Sequence, residues 1–155
     1  MLVDEGLELL TEEQAMYLLR LGEIGRVGIA LGALPAIFPV NYRLLDGAIV
    51  FRTAPGSKMY AATNGAVVAF EVDDYQVEDR SGWSVLAVGR AELVHDLDVT
   101  FRSLEARLEP FADGVRAALV RIVPTFVSGR RIVHYNGPGQ PSARPHRGTC
   151  DASPS

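Results

Sequence analysis

From residue 25 onward, the chain is a series of short runs rich in β-branched and aromatic residues, each ended by residues typical of turns. These runs predict strands over residues 27–31, 36–45, 48–53 and 66–72. Asp46-Gly47 lies between the second and third runs, and this dipeptide favours a tight type I′ hairpin. We therefore expect those two strands to pair antiparallel.

The run over 66–72 is almost continuously apolar, which favours a central strand buried on both faces. An acidic loop is predicted over 73–80, followed by a second long strand over 84–94 in which Gly89 marks a bulge or bend. The last predicted strands cover 117–123 and 130–135, with a bend at Pro124 between them.

Helices are predicted at the periphery of these strands. Thr11 and Gln14 have the spacing of a capping box and begin a helix over about residues 11–21, before Gly22. Ser57 is suited to be the N-cap of a short helix to residue 64, and a third helical pattern around Phe101 stops before residue 110. The predicted fold is α+β but mainly β, a six- to seven-stranded antiparallel barrel with two or three peripheral helices.

Residues 1–135 are expected to form one domain, and residues 136–155 a disordered tail. The tail is rich in Gly, Pro and Ser and has almost no large apolar side chain, so burial cannot offset its ordering entropy. The chain's single cysteine, Cys150, falls in this tail. That excludes an intrachain disulfide and a cysteine-based metal cluster, and we interpret Cys150 as a free thiol.

The charge balance gives no reason to expect a polyanionic partner. The net charge is -4, so neither nucleic acid nor an anionic membrane is an expected partner. The sequence has no apolar stretch long enough to span a bilayer and no basic start typical of a secretory signal. The expected location is the cytoplasm.

The segment from Arg52 to Lys58 carries the most chemical information. A strand ends at Arg52 and Thr53, a Pro-Gly turn follows, and Ser57 with Lys58, the sole lysine of the chain, begins a helix. A guanidinium fork, hydroxyl donors, a glycine that admits close backbone approach and a helix start together suit a bound phosphate. The alternative is a surface hairpin followed by a capped helix whose charges are incidental.

Two further residues could contact a ligand, and the remaining polar clusters predict no site. Asn41 offers an amide for a heterocycle edge but could equally make a turn hydrogen bond, and Trp83 could cover a ring or fill the core. The three histidines have no metal-ligand spacing, so no metal site is expected. The acidic residues of 73–79 are interpreted as a solvated loop.

Taken in order, several motifs over residues 10–133 resemble the pyridoxamine 5'-phosphate oxidase-like family of flavin-binding split β-barrels. The motifs are Leu34 to Tyr42, Arg52-Thr53 with Ser57-Lys58, Glu71-Val72-Asp73, Gly82-Trp83-Ser84-Val85, Gly89-Arg90-Ala91 and Val127 to Ile132.

The resemblance implies roles for three groups of residues, and a homodimer with two flavins at its interface. The phosphate of FMN would be held by Arg52, Thr53, Ser57 and Lys58. The strand beside the flavin ring would be formed by Pro39, Val40, Asn41 and Tyr42. The flavin site would be lined, often from the partner subunit, by Trp83, Ser84 and Val85.

The function implied is an FMN-dependent oxidoreductase of unknown substrate. The alternatives are a flavin-binding or sensor protein without turnover, and a deazaflavin (F420)-dependent reductase. Haem is disfavoured, because it would require an axial ligand and only His95 or His134 is available for that role. Oxidation of vitamin B6 is not expected, because Arg131 and His134 depart from the Arg-x-His spacing of the authentic oxidases.

Overall fold

The computed structural model describes residues 2–4, 6–54, 56–94 and 118–132, with the side chains of 2–4, Lys58 and Ala62 excepted. The predicted helix around Phe101 and the predicted tail over 136–155 lie outside these ranges, as do His95, His134 and Cys150. The described elements, in chain order, are β1 Leu2–Asp4, β2 Leu7–Leu10, α1 Glu12–Leu21, β3 Ile24–Leu31, β4 Leu34–Leu45, β5 Ala48–Thr53, α2 Lys58–Thr63, β6 Val67–Gln76, β7 Ser81–Val94 and β8 Ala118–Ile132.

The strands form an antiparallel sheet that closes on itself. Their order is β1-β2-β8-β5-β4-β3-β6-β7, and β7 also pairs with β8, so the six strands β3 to β8 complete a ring. One edge of β8 pairs with β7 along 119–132, whereas its other edge pairs with β5 at 118–122 and with β2 at 129–132. The predicted fold class, a mainly β antiparallel split barrel, is confirmed.

Local signals in the sequence fix the hairpin and the first helix. Asp46 and Gly47 both have positive φ, 51° and 78°, as a type I′ turn between β4 and β5 requires. The Thr11 side chain accepts from the Gln14 amide and the Gln14 side chain accepts from the Thr11 amide, so the predicted capping box is present.

The barrel core is filled by alternate residues of each strand. Tyr42, Phe51 and Phe70 are fully buried there, and the rings of Tyr42 and Phe70 meet edge to face at 4.7 Å between centroids. Helix α1 closes one end with Ala15, Leu18 and Leu19. Because strand side chains alternate, every second residue of the same strands lies on the outer face of the barrel.

Two expectations about β6 are corrected. The strand has a neighbour on each side, β3 and β7, so it is central as predicted. Val68, Phe70 and Val72 are buried while Val67 is 65% exposed, so burial on both faces is wrong for this chain. The predicted acidic loop is also too long. β6 continues to Gln76 because its backbone pairs with β7 as far as Ser81, and the turn is confined to residues 77–80.

Residues 118–132 form a single strand where two were predicted. Val88 pairs with Phe126 and Gly89 pairs with Pro124, so Thr125 bulges out and β8 continues through the proline. The bulge predicted at Gly89 is confirmed. A Cβ at this position would lie 2.1 Å from the Val123 carbonyl oxygen, so the close approach requires glycine.

Candidate functional site

The turn after β5 has the predicted strand-turn-helix form. The Ser57 amide donates to the Ala54 carbonyl at 3.2 Å, and Gly56 has a φ of 76° with open space where a Cβ would project. Ser57 is the N-cap of α2 and accepts from the Tyr60 amide at 3.0 Å. The short helix has six residues, so anion binding here must rely on side chains and turn amides more than on a helix dipole.

Two hydroxyl groups meet at this turn. Thr53 Oγ1 and Ser57 Oγ lie 3.2 Å apart, and Thr53 is buried while Ser57 is half-buried. The structure therefore brings together two of the four predicted phosphate-binding residues. The side chain of Lys58, the third, lies outside the described part of the chain.

Arg52, the fourth, lies on the outer face of β5. Tyr42 pairs with Phe51, so continuing the register places Asn41 opposite Arg52 on that face. The Arg52 Nε atom is buried, and the described residues offer it no hydrogen-bond partner. A buried guanidinium N–H without an acceptor is costly, so this atom fits a bound anion.

Three predicted site residues have side chains in the core. Val40, Tyr42 and Val85 are buried among the inner-face residues, so a ligand could meet them through backbone atoms alone. The Tyr42 side chain is fully buried. Its hydroxyl donates to the Leu19 carbonyl at 2.7 Å, and burial raises the pKa of the phenol well above its usual range.

Ser84 lies on the outer face, three strands away from Asn41, whereas the Trp83 side chain alternates to the inner face and packs against the core. Along the sheet, Asn41 pairs with Ile24, the β3–β6 register then leads to Asp73, and Asp73 pairs with Ser84. Three strand spacings of about 4.8 Å separate Asn41 from Ser84, roughly 14 Å. Within one chain, the structure brings Asn41 to Arg52 but does not bring Trp83 and Ser84 to them.

A groove of about 390 Å³ lies beside Ser84, at the ends of β6, β7 and β8 and against β2. Sequence reasoning missed it, because residues 73–80 were interpreted as a loop and β2 was not predicted. Its lining combines apolar, aromatic and charged side chains: Leu7, Glu71, Asp73, Asp74, Tyr75, Gly82, Trp83, Ser84, Arg130 and Ile132.

Arg26 forms ion pairs with two carboxylates at the edge of this groove and offsets one of their two charges. Its Nη1 lies 2.6 Å from Asp73 Oδ1 and 3.0 Å from Glu71 Oε2. These two hydrogen bonds raise the pKa of the Arg26 guanidinium, and the bond to Asp73 makes the larger contribution.

The described residues include neither a metal-binding cluster nor a helix that could span a membrane. Across the described ranges, no three His, Cys, Asp or Glu side chains are grouped so as to hold a metal ion. Neither described helix has the length and apolar character needed to cross a membrane.

Comparison with solved structures gives the same barrel. The FAD binding protein from Mycobacterium smegmatis is 32% identical, with a TM-score of 0.72 over 83% of this chain and 100% of that one. A conserved protein of unknown function from Corynebacterium diphtheriae is 29% identical, with a TM-score of 0.69 over 84% of this chain and 100% of that one.

Sequence comparison extends the likeness to a curated relative and to a family. Uncharacterized protein Rv0080 of Mycobacterium tuberculosis is 38% identical over 129 residues, which are 80% of this chain and 84% of the relative. Residues 11–131 match the family model described as pyridoxamine 5'-phosphate oxidase. Because that match spans most of the barrel, this chain belongs to the pyridoxamine 5'-phosphate oxidase family.

Proposed function

We propose that this protein is an FMN-dependent oxidoreductase whose flavin phosphate is held around the end of β5. The observation that carries the proposal is the buried Arg52 Nε without an acceptor among the described residues. Arg52 is followed directly by Thr53, whose hydroxyl pairs with that of Ser57 across the turn. A phosphate oxygen would satisfy the guanidinium with a charge-assisted hydrogen bond. Lys58, at the start of α2, would add the second positive charge.

The flavin ring would extend from the phosphate along the outer face of β4. Asn41 shares that face with Arg52, and its amide can both donate to and accept from the pyrimidine edge of a flavin. Bound there, the flavin would supply hydride or electron transfer, while the protein orients the ring and limits water access.

FAD is the second candidate cofactor. The Mycobacterium smegmatis relative, at 32% identity, is a FAD binding protein. FMN and FAD share the ring and first phosphate that Arg52 and Asn41 would hold, so both fit the described residues. A flavin carrier or sensor would use the same contacts but would not turn over a substrate. A deazaflavin-dependent reductase would use the same contacts to hold a different cofactor.

A second copy of the chain would complete the site. The outer face of a barrel is convex, and the roughly 14 Å between Asn41 and Ser84 leaves a ligand on Arg52 and Asn41 without a facing wall in its own chain. In a homodimer, Ser84 of the partner subunit could supply that wall with its side chain, and Trp83, whose ring packs against the core, could supply backbone atoms.

An apolar band on the outer face supports this dimer. Neighbouring strands pair Ile37 with Gly28, Gly28 with Ala69, Ala69 with Val88, and Val88 with Phe126. Ile37 and Phe126 are 70% and 55% exposed at the two ends of this row, and the exposed Val67 and Val123 flank it. Continuous exposed apolar surface of this kind is typical of a protein interface.

The proposal is tested by identifying and titrating the cofactor. Mass spectrometry of the small molecule released from purified protein should show FMN, whereas FAD or deazaflavin would identify the corresponding alternative. Arg52→Ala and Lys58→Ala should each raise the Kd for FMN by about 10- to 100-fold, because each removes a charge-assisted contact worth about 1.5–3 kcal/mol.

The matched control is Arg20→Ala, which removes an exposed arginine from the last turn of α1, away from the β5 turn. It should leave FMN affinity within about twofold of the wild type. Unchanged FMN titrations for both Arg52→Ala and Lys58→Ala would contradict the proposed phosphate site.

A further inference from the structure

Two arginines in the described part of the chain, Arg52 and Arg121, each have a buried Nε atom without a hydrogen-bond partner there. The proposed phosphate site accounts for Arg52 alone. A buried donor that makes no hydrogen bond destabilises the fold, and more so when the group is charged. Arg121 Nε therefore also fits an acceptor supplied by a bound ligand.

The two arginines lie on the same face of neighbouring strands. β5 pairs with β8 so that Arg52 is opposite Leu119 and Val50 is opposite Arg121. Arg52 and Arg121 are therefore diagonal neighbours, about 7–8 Å apart, which is within reach of long side chains. Both point outward, because Phe51, which follows Val50 on β5, is buried in the core. The two guanidinium groups can therefore approach one ligand from two strands.

The surface between these arginines is apolar. The residues opposite them, Val50 and Leu119, are 1% and 6% exposed and form a small cluster with Leu45 and Val94, separate from the barrel core. The side chains of this cluster offer Arg121 Nε no acceptor. An apolar surrounding also strengthens any hydrogen bond that a guanidinium makes to an anion.

Glu92 holds Arg121 without using its Nε atom. The two residues are directly opposite on β7 and β8, and Glu92 Oε2 accepts from Arg121 Nη2 at 3.1 Å. Their side chains are 46% and 40% exposed, so water screens this ion pair. Because a guanidinium has five N–H donors, the pair leaves Nε for a second acceptor.

We propose that Arg121 is a second arginine of the flavin phosphate site, and that its Nε donates to a phosphate oxygen of the bound flavin. The proposal rests on the proposed function, because Arg52 would bring the phosphate to this part of the outer face. A phosphate group presents several oxygens and carries more than one negative charge, which suits two arginines. The phosphate of FMN and the second phosphate of FAD share this chemistry.

Riboflavin, FMN and FAD separate the phosphate from the ring. Each is titrated into wild type and Arg121→Gln, with flavin fluorescence as the signal. Arg121→Gln should raise the Kd of FMN or FAD at least about tenfold, which is about 1.4 kcal/mol. It should change the Kd of riboflavin less than twofold, because riboflavin has the ring but no phosphate. A loss for both FMN and FAD assigns Arg121 to the phosphate that they share, and a loss for FAD alone assigns it to the second phosphate.

Arg43→Gln is the matched control. Arg43 is opposite Val50 on the other side of β5 from Arg121, but its Nη1 donates to the Tyr42 carbonyl at 2.9 Å and its Nη2 lies 3.6 Å from Glu23. This variant should leave the Kd of FMN and FAD within about twofold of the wild type. Arg121→Lys keeps a positive charge but loses the guanidinium fork, so it should recover only part of the loss. It also provides the test should Arg121→Gln fail to fold.

Three results would overturn the proposal. The first is an Arg121→Gln protein that binds FMN and FAD as the wild type does. The second is an equal loss for riboflavin, which would mean that the substitution disturbs the site as a whole. The third is an equal loss in Arg43→Gln, which would mean that the positive charge of this face acts without a specific contact.

Failure of the proposed function gives a different result. A wild-type protein that binds none of the three flavins would contradict the flavin function itself, whatever Arg121 does. Inorganic phosphate then tests the arginine pair alone. A rise in Tm with phosphate that is lost in Arg121→Gln would keep an anion site at Arg52 and Arg121 without a flavin, and equal rises in both proteins would remove that site as well.

Discussion

The two faces of β4 and β5 carry different kinds of information. On the inner face, Val40, Tyr42 and Phe51 are buried in the barrel core. Asn41 and Arg52 each lie one residue beyond the last β4–β5 pair, Tyr42 with Phe51, and strand alternation places both on the outer face. A contiguous run of residues that looks like one site in the sequence is therefore split by the strand period into residues that build the barrel and residues that can bind.

The largest expected effect that tests this division is on stability. Phe51→Ala should lower the free energy of unfolding by about 3–5 kcal/mol, because it leaves a cavity between buried neighbours. Its neighbour in sequence, Arg52→Ala, should change stability by less than about 1 kcal/mol, since it removes an outer-face side chain whose Nε has no described partner. Urea unfolding measures both. Equal losses would show that the two faces are not energetically distinct.

The parts of the fold that could be predicted are those fixed by neighbours in sequence. The positive φ values of Asp46 and Gly47 are those that this dipeptide favours by itself, and the Thr11–Gln14 capping box is complete within one turn. Both were therefore predictable. β2 has four residues and owes its existence to pairing with β8, more than a hundred residues away, so no local pattern indicates it.

The site was predictable in composition but not in arrangement. Which of Val40, Asn41 and Tyr42 faces outward depends on register, and a shift of one residue reverses all three. The register of β4 is fixed by its pairing with β3 and β5, which residue types alone do not reveal. The groove was missed for the same reason, because Tyr75, Gly82, Ile132 and Leu7 come from four strands.

The next effect concerns the outer face alone and tests whether a second copy covers it. Phe126→Glu should weaken dimerisation by about 2 kcal/mol or more, roughly 30-fold in Kd, because it places a charge at the end of the apolar row. Tyr17→Glu changes a similarly exposed aromatic residue on α1 and should leave the dimer intact. Analytical ultracentrifugation distinguishes the two, and a Phe126→Glu protein that dimerises like the wild type would place the interface elsewhere.

The smallest expected effect returns to the inner face, at Tyr42. Tyr42→Phe keeps the ring packed against Phe70 but leaves the Leu19 carbonyl without its donor, so at pH 7 it should cost about 1 kcal/mol.

The cost should depend on pH, because burial raises the pKa of the folded phenol above the ordinary value of 10.0. The stabilisation from this hydroxyl is complete below pH 10 and is lost as the pH rises toward the folded pKa, since the unfolded chain releases its proton first. Urea unfolding of both proteins at pH 7, 9, 10 and 11 should therefore show the gap between them closing in the alkaline samples. A gap that stays constant to pH 11 would mean that the Tyr42 hydroxyl reaches water, and that the inner face at this position is less closed than its burial indicates.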